Sequence, residues 1–207
     1  MDLTHALLAH PRLYAAFHGA VSRGKLERIA EALRREGLDE AQRLTVLDLG
    51  CGPGTSARLF TVKDGWSYTG IDLDPAYIAH ARANLSGRFE VGDVTTLDLG
   101  GTFDLVLLNS VTHHLDDAGA QGAIDCAARH LARGGTFLLM DMVTPEGPSR
   151  AAALRRLLVG LDRGRHCRTD AELKALLRAR FKRVEARPFT LSLARIDLWE
   201  MRTYTCR

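Results

Sequence analysis

Three acidic residues sit at regular intervals behind short aliphatic runs: Asp48 inside Val46-Leu47-Asp48-Leu49-Gly50-Cys51-Gly52-Pro53-Gly54, Asp72 in Gly70-Ile71-Asp72-Leu73-Asp74-Pro75, and Asp93 in Gly92-Asp93-Val94. Glycines at alternate positions 50, 52 and 54 let the chain turn tightly and let a ligand lie against bare backbone. Asp72 follows Gly50 by 22 residues, a spacing suited to a carboxylate that accepts hydrogen bonds from a ribose diol. One such acid is an ordinary cap or turn residue. Three in succession suggest one ligand lying across three strand ends. Further on, His113 and His114 bring imidazoles, which titrate in the range useful to a general base. Asp162-Arg163-Gly164-Arg165-His166 offers two guanidiniums and an imidazole on a polar loop, suited to an anion.

Elements of an α/β chain would position these groups. Thr45 to Leu49, Trp66 to Ile71, Phe89 to Val91, Phe103 to Asn109 and Thr136 to Asp141 are aliphatic, β-branched or aromatic runs of strand length. Helical stretches alternate with them. Residues 55 to 62 are expected as the first crossover helix, Pro75 opens a second through about Leu85, and residues 117 to 132 form another, with Gly134-Gly135 as the turn before the fifth strand. Such alternation implies a parallel sheet with right-handed crossovers and helices on both faces. Before it, residues 3 to 18 carry Leu3, Leu7, Leu8, Leu13, Tyr14 and Phe17 at helical period around Pro11, which suggests a short helix, a turn and a second helix; Ser22 is expected to cap a third, ended by Gly37. After residue 142 come a loop, a helix over 149 to 161, the polar loop 162 to 168 and a helix from Asp170 to Ala179 capped by Thr169 or Asp170. Phe181 to Phe189 and Leu193 to Tyr204, with a link containing Pro188, suit an antiparallel hairpin at the sheet edge.

A chain of 207 residues with 46% hydrophobic and 26% charged residues has enough apolar content for one α/β domain with a modest appendage. No apolar run of about 18 residues is present to span a bilayer, and no secretory leader pattern opens the chain, so a cytoplasmic location is expected. Cys51, Cys126, Cys167 and Cys206 make no C-x-x-C pair, which argues against zinc, and disulfides are not expected in a reducing compartment. Residues 1 to 150 hold 14 basic and 19 acidic side chains, whereas 151 to 207 hold 14 and 6 and are therefore +8. That basic portion can attract phosphate or carboxylate. No nucleic-acid partner is expected, because aromatic residues do not interleave with the arginines.

In order along the chain, VLDLGCGPG at 46 to 54, TGIDLDP at 69 to 75, VGDV at 91 to 94, FDLVLLNSVTHHLDD at 103 to 117 and ARGGTFLLMD at 132 to 141 resemble the class I S-adenosylmethionine-dependent methyltransferases, closest to small bacterial members of the methyltransferase 11, 12 and 25 kind. The resemblance implies a Rossmann-like doubly wound sheet in the order 3-2-1-4-5-7-6 with the last strand antiparallel. It also implies an N-terminal helical cap over 1–40, a cofactor-binding core over 41–142, and substrate-side helices with a C-terminal hairpin over 143–207. It carries Asp72 to the ribose hydroxyls, Leu73 to the adenine face, Asp93 and Val94 to the adenine edge, and Gly50, Gly52 and Asp48 to the methionyl side of S-adenosylmethionine. Asn109 and Ser110 would stand beside the reacting centre. For Asp48 the rival role is bracing the glycine turn. In this family the second histidine of His-His-Leu mainly braces its loop, and a larger apolar residue is frequent where this chain has Thr112. Tyr14, Phe17 and His18 would line the substrate side from the cap, with Arg163, Arg165 and His166 facing it from beyond the fifth strand.

These features imply methyl transfer to a small-molecule or carrier-linked acceptor, an anionic one suiting the 162–166 loop, with oxygen favoured as the methylated atom. The preference rests on the two histidines and on Asn109-Ser110-Val111-Thr112 standing where amide and amine methylation often use an N/D-P-P-Y motif. A protein that binds S-adenosylmethionine without transferring its methyl group is the alternative. A dinucleotide-binding Rossmann enzyme using NAD is a further one, but it needs G-x-G-x-x-G, and Thr55 stands where the third glycine belongs. The chain is expected to act as a monomer or homodimer.

Overall fold

Leu44–Leu49 forms strand β1 because every residue but Thr45 is buried, with Leu44 and Val46 on one face of the sheet and Leu47 and Leu49 on the other. A strand apolar on both faces requires cover on both. The computed structural model describes residues 11–146, 166–193 and 196–207; the side chains of 11–21, 193, 196 and 198 are not included. Its strands β2 (Trp66–Asp72), β3 (Arg88–Val91), β4 (Phe103–Asn109), β5 (Leu131–Met142), β6 (Val184–Leu193) and β7 (Ile196–Cys206) join β1 in one seven-stranded sheet, ordered β3-β2-β1-β4-β5-β7-β6. β1 pairs in parallel with both β2 and β4, β5 runs parallel to β4, and β7 is antiparallel to β5 and β6. This is the doubly wound order that the resemblance implies.

Helix α1 (Pro11–Arg35) and helix α2 (Pro75–Asn84) cover one face, where Ile29, Leu33, Ile78 and Ala81 pack with Val46, Leu105, Leu107 and Phe60. Helices α3 (Asp117–Arg129) and α4 (Asp170–Arg178) cover the other, where Ile124, Ala127, Leu173 and Leu177 meet Leu47, Val106, Leu108 and Phe137. Each fully buried leucine or isoleucine contributes on the order of 1.5–3 kcal/mol. The two layers converge on the strands at the centre of the sheet.

Several boundaries differ from expectation. The second and third N-terminal helices are one, with Ser22 inside α1 rather than at a cap. Between residues 18 and 22 only Gly19 disfavours helix, by about 1 kcal/mol, too little to stop it. Gly37 does end it: at φ +69° it lets Leu38 N–H donate to Leu33 O at 2.9 Å, a Schellman closure. The first crossover is a 3₁₀ helix at Thr55–Leu59 instead of an α-helix over 55 to 62, and it ends where the fully buried Phe60 donates back to Ala57 O. Leu131 already pairs with Phe103, and the ladder resumes at Thr136 with Leu105, so Gly134 and Gly135 form an irregularity within β5 rather than a turn before it. Pro188 lies within β6, opposite Arg202, which is permitted because β6 is the edge strand. Thr169 caps α4 in a reciprocal capping box with Glu172.

Candidate active site

At β1 the strand order reverses, β2 lying on one side and β4 on the other, and ligands of open α/β sheets bind in the crevice beyond the carboxyl ends at such a point. The glycine turn follows β1 there. Gly50 N–H and Cys51 N–H both donate to Ile71 O, at 2.7 and 2.9 Å, which ties the turn to the end of β2. Gly50 has φ +74°, and a Cβ on it would lie 2.4 Å from Val111 Cγ2. Gly52 has φ +55°, and among the described residues beyond its chain neighbours no atom lies within 4 Å of where its Cβ would be, so open space lies above its backbone.

Asp72 closes this turn. Its Oδ2 accepts from Gly52 N–H at 2.8 Å and its Oδ1 from Asp74 N–H at 2.9 Å. Asp48 makes no bond to the turn's amides. It is 1% exposed, accepts from the Tyr68 hydroxyl at 2.6 Å through Oδ2, and has no hydrogen-bonded partner for Oδ1 among the described residues. Burial raises its pKa to about 6, with repulsion from Asp72 adding to the rise and the Tyr68 and Ser56 hydroxyls opposing it. The brace is therefore Asp72. Leu73, next along, is 70% exposed, an apolar side chain held in the open beside the turn. Asp93 is exposed and accepts from Thr95 N–H and Thr95 Oγ1 at 2.8 and 2.7 Å, bonds that lower its pKa, while Val94 is buried against the core.

Beyond β4 the backbone changes abruptly. Ser110 has φ +60°, the one non-glycine residue with positive φ among the described residues, and its N–H donates to Met140 O at 2.7 Å. Strain of this kind clusters at functional sites. The following turn, Thr112–His114, is anchored on Asp141 at the end of β5. Asp141 is 1% exposed; its Oδ2 accepts from Thr112 N–H at 2.8 Å and Thr112 Oγ1 at 2.5 Å, and its Oδ1 lies 2.6 Å from His113 Nδ1. Burial alone would raise the Asp141 pKa, but His113, Thr112 and the Met142 amide together hold it below the ordinary carboxylate value. The first histidine thus braces the loop: His113 is buried and His114 exposed, with ring centroids 4.0 Å apart. Thr112 serves the Asp141 carboxylate through both its amide and its hydroxyl.

Three further residues complete the site, and sequence reasoning passed over all of them. Lys25 of α1 reaches Ser110 Oγ at 2.6 Å, across 85 positions of chain. Asp141 stands in the sequence pattern only as the end of the fifth strand. Arg168, counted within a polar loop, is 6% exposed and uses all five N–H donors: on Thr112 O, His166 O and Leu115 O, and twice on Asp117 Oδ1, at 2.8 to 3.1 Å. The sequence held no signal for Lys25, which sits in a charged helix pattern.

Of the substrate-side candidates, Tyr14, Phe17 and His18 lie in α1 with side chains outside the described set, and Arg163 and Arg165 lie outside the described residues. His166 is exposed, and its N–H donates to His113 O at 3.0 Å, which joins the end of that segment to the loop after β4. The four cysteines are free thiols, and no cluster of metal-ligating side chains occurs among the described residues. Nor is any described helix long and apolar enough to cross a membrane.

Sheet order, glycine turn and acidic strand ends together define a class I methyltransferase fold. Residues 46–135 match the family model of a methyltransferase domain. An uncharacterised methyltransferase of Synechocystis is 33% identical over 102 residues, 48% of this chain and 48% of that protein. Trans-aconitate 2-methyltransferase of Methylobacterium nodulans is 35% identical over 106 residues, 50% of this chain and 40% of that protein. The chain spans half or less of the length of these curated relatives. Among solved structures, magnesium protoporphyrin IX methyltransferase from Synechocystis PCC 6803, with bound S-adenosylhomocysteine, aligns at a TM-score of 0.68 over 99% of each chain with 16% identity, a likeness of fold.

Proposed function

We propose that this chain is an S-adenosylmethionine-dependent methyltransferase that modifies a small-molecule acceptor, at oxygen. The observation that carries the reading is the cradle at the strand-order reversal, where a glycine turn open at Gly52 is held by Asp72, with Leu73 exposed beside it. These residues fit the cofactor. The Asp72 carboxylate has acceptor capacity left for the ribose hydroxyls, Leu73 offers an apolar face to adenine with Asp93 and Val94 at its edge, and Gly50, Gly52 and Asp48 flank the methionyl end. When bound, the cofactor supplies a methyl group already activated on a sulfonium, so the protein's work is alignment. Asn109 and Ser110 face the reacting end.

In this reading residues 1–40 are the cap, 41–142 the cofactor core and 143–207 the acceptor side, in a cytoplasmic enzyme. His114 is the better candidate for a base, because the His113 ring is committed to Asp141. An acceptor proton at oxygen would pass to His114, and Arg163, Arg165 and His166 would hold negative charge on the acceptor. His114→Ala should lower turnover of labelled methyl into a host extract by about 100-fold with unchanged cofactor affinity; full turnover would remove His114 as base.

The test is calorimetric titration with S-adenosylhomocysteine and, separately, with NAD. Binding of S-adenosylhomocysteine that is lost in Asp72→Ala supports the assignment. Binding of NAD in its place would overturn it, together with every cofactor contact above.

A further inference from the structure

Between α1 and the β6–β7 edge of the sheet lies a groove of about 210 Å³, room for roughly seven waters at a ~30 Å³ share of the liquid each. Arg28 and Arg35 line it from α1 and Arg187 from β6, with Glu31 between the two helix arginines. Glu31 orients both: its Oε2 accepts from Arg28 Nη1 at 2.5 Å and its Oε1 from Arg35 Nη2 at 2.7 Å. The Arg28 guanidinium also lies over the Phe189 ring, 5.9 Å from its centroid. Both helix guanidiniums are thus set in place and keep most of their five donors. Arg187 makes no hydrogen bond or ion pair among the described residues. Three guanidiniums against one carboxylate leave the groove at +2, and like charges gathered around one concavity repel until an anion joins them. A second, independent sign lies in the lining. Thr203 is 6% exposed, and its Oγ1 is buried without a hydrogen-bonded partner among the described residues. Such a hydroxyl costs stability, and a turn about χ1 would offer it to a ligand oxygen in the groove.

The groove is not an extension of the cofactor crevice. Asn109, Met140, Thr203 and Arg187 are paired in one row across β4, β5, β7 and β6, which puts Arg187 three strand spacings, about 14 Å, from the strand end at Asn109. Met140, 1% exposed and packed in the core under α1, fills the sheet between them. Guanidinium forks on two facing walls match the tetrahedral oxygens of phosphate, and a phosphate monoester carries about two negative charges at neutral pH, equal and opposite to the lining.

We infer that this groove is a second ligand site, a receptor for a phosphate group, carried on a small molecule or free. It stands whichever cofactor the crevice after β1 holds. The test follows the assigned backbone amides of isotope-labelled protein by NMR while inorganic phosphate, glycerol 3-phosphate or acetate is added at constant ionic strength. Saturable shifts are expected at residues 28–35, 186–189 and 203–205 with both phosphates, and much weaker ones with acetate. Arg187 is exposed, so Arg187→Gln leaves the fold intact and should weaken phosphate binding by about tenfold or more. Arg178→Gln removes the same charge from α4 on the opposite face and should leave it unchanged. Tighter binding of glycerol 3-phosphate would name an organic phosphate as the occupant, and binding of inorganic phosphate as tight or tighter would name the free ion. Acetate binding as tightly as the phosphates would overturn the inference, as would equal loss in the two variants, the mark of general charge attraction. Absence of saturable shifts, or shifts confined to residues 50–54 and 72–74, would likewise remove the second site.

Discussion

Asp48 and Asp141 are both about 1% exposed, yet their pKa values shift in opposite directions because only Asp141 has an imidazole and several further donors around it. Asp141 faces His113 and three further donors, and its pKa is lowered; the stability it contributes is present above the ordinary carboxylate range and is lost as pH falls through its depressed value. Asp48 has only hydroxyls to set against its burial and a repelling neighbour, and its pKa is raised from 3.8 to about 6. Its contribution is present below about pH 4 and lost as pH rises through 6, roughly 3 kcal/mol by pH 8. Asp48→Asn keeps an acceptor for Tyr68 and removes the titration. Urea unfolding should therefore show the variant more stable than wild type by about 1–3 kcal/mol at pH 8, with the difference gone near pH 4. A constant difference across that range would show that Asp48 does not titrate as placed. The positions of Asp72 and Asp93 at strand ends were legible from sequence because strand ends and turn residues are local. The choice between bracing and ligand contact for Asp48 was not, since Tyr68 lies 20 residues away and the two meet only through the pairing of β1 with β2.

The turn after β4 shows the same limit at the level of elements. Strands and helices followed from periodicity, and β4 came out to the residue, but nothing local says that Thr112–His114 is held from β5 and from the chain just before α4. Arg168 supplies the second hold. Its pair with Asp117 is worth little, because Asp117 is 91% exposed and exposed pairs contribute about 0–1 kcal/mol. The carbonyls of Thr112, Leu115 and His166 matter more, since each buried acceptor left unmade costs about 1–3 kcal/mol. Arg168→Met should thus destabilise by about 3 kcal/mol or more, while Asp117→Ala changes stability by less than about 1. Hydrogen exchange should locate the loss, with faster exchange at the Leu115 amide, which donates to Thr112 O, and unchanged exchange in β1. Equal effects of the two variants would mean that the ion pair, not the carbonyls, is what Arg168 serves.

Across the whole molecule the late part of the chain is structurally central. β7 lies between β5 and β6, pairing Met140 with Thr203 and Thr203 with Arg187, so residues 201–206 complete the ladder that began at 137–142. Sequence patterns marked a hairpin but could not place it, because the insertion of β7 is a long-range choice that the resemblance supplied. The consequence reaches the site twice. β5 carries Asp141, and β6 carries Leu191, against which Gly24 sets the helix that bears Lys25. Proline substitution separates centre from edge. Pro188 already occupies β6 without harm, so Pro188→Thr should change stability by no more than about 0.5 kcal/mol. Thr203→Pro places the same ring in a strand bonded on both sides, where the lost ladder bond and the clash cost about 3 kcal/mol or more, a large share of the 5–15 kcal/mol that holds an ordinary domain together. The expected result is a sharply lowered unfolding midpoint and, since both supports of the site depend on this ladder, weaker binding of S-adenosylhomocysteine even where the variant remains folded. Wild-type stability in Thr203→Pro would mean that β7 is not the interior strand, and the route from hairpin to site would fail with it.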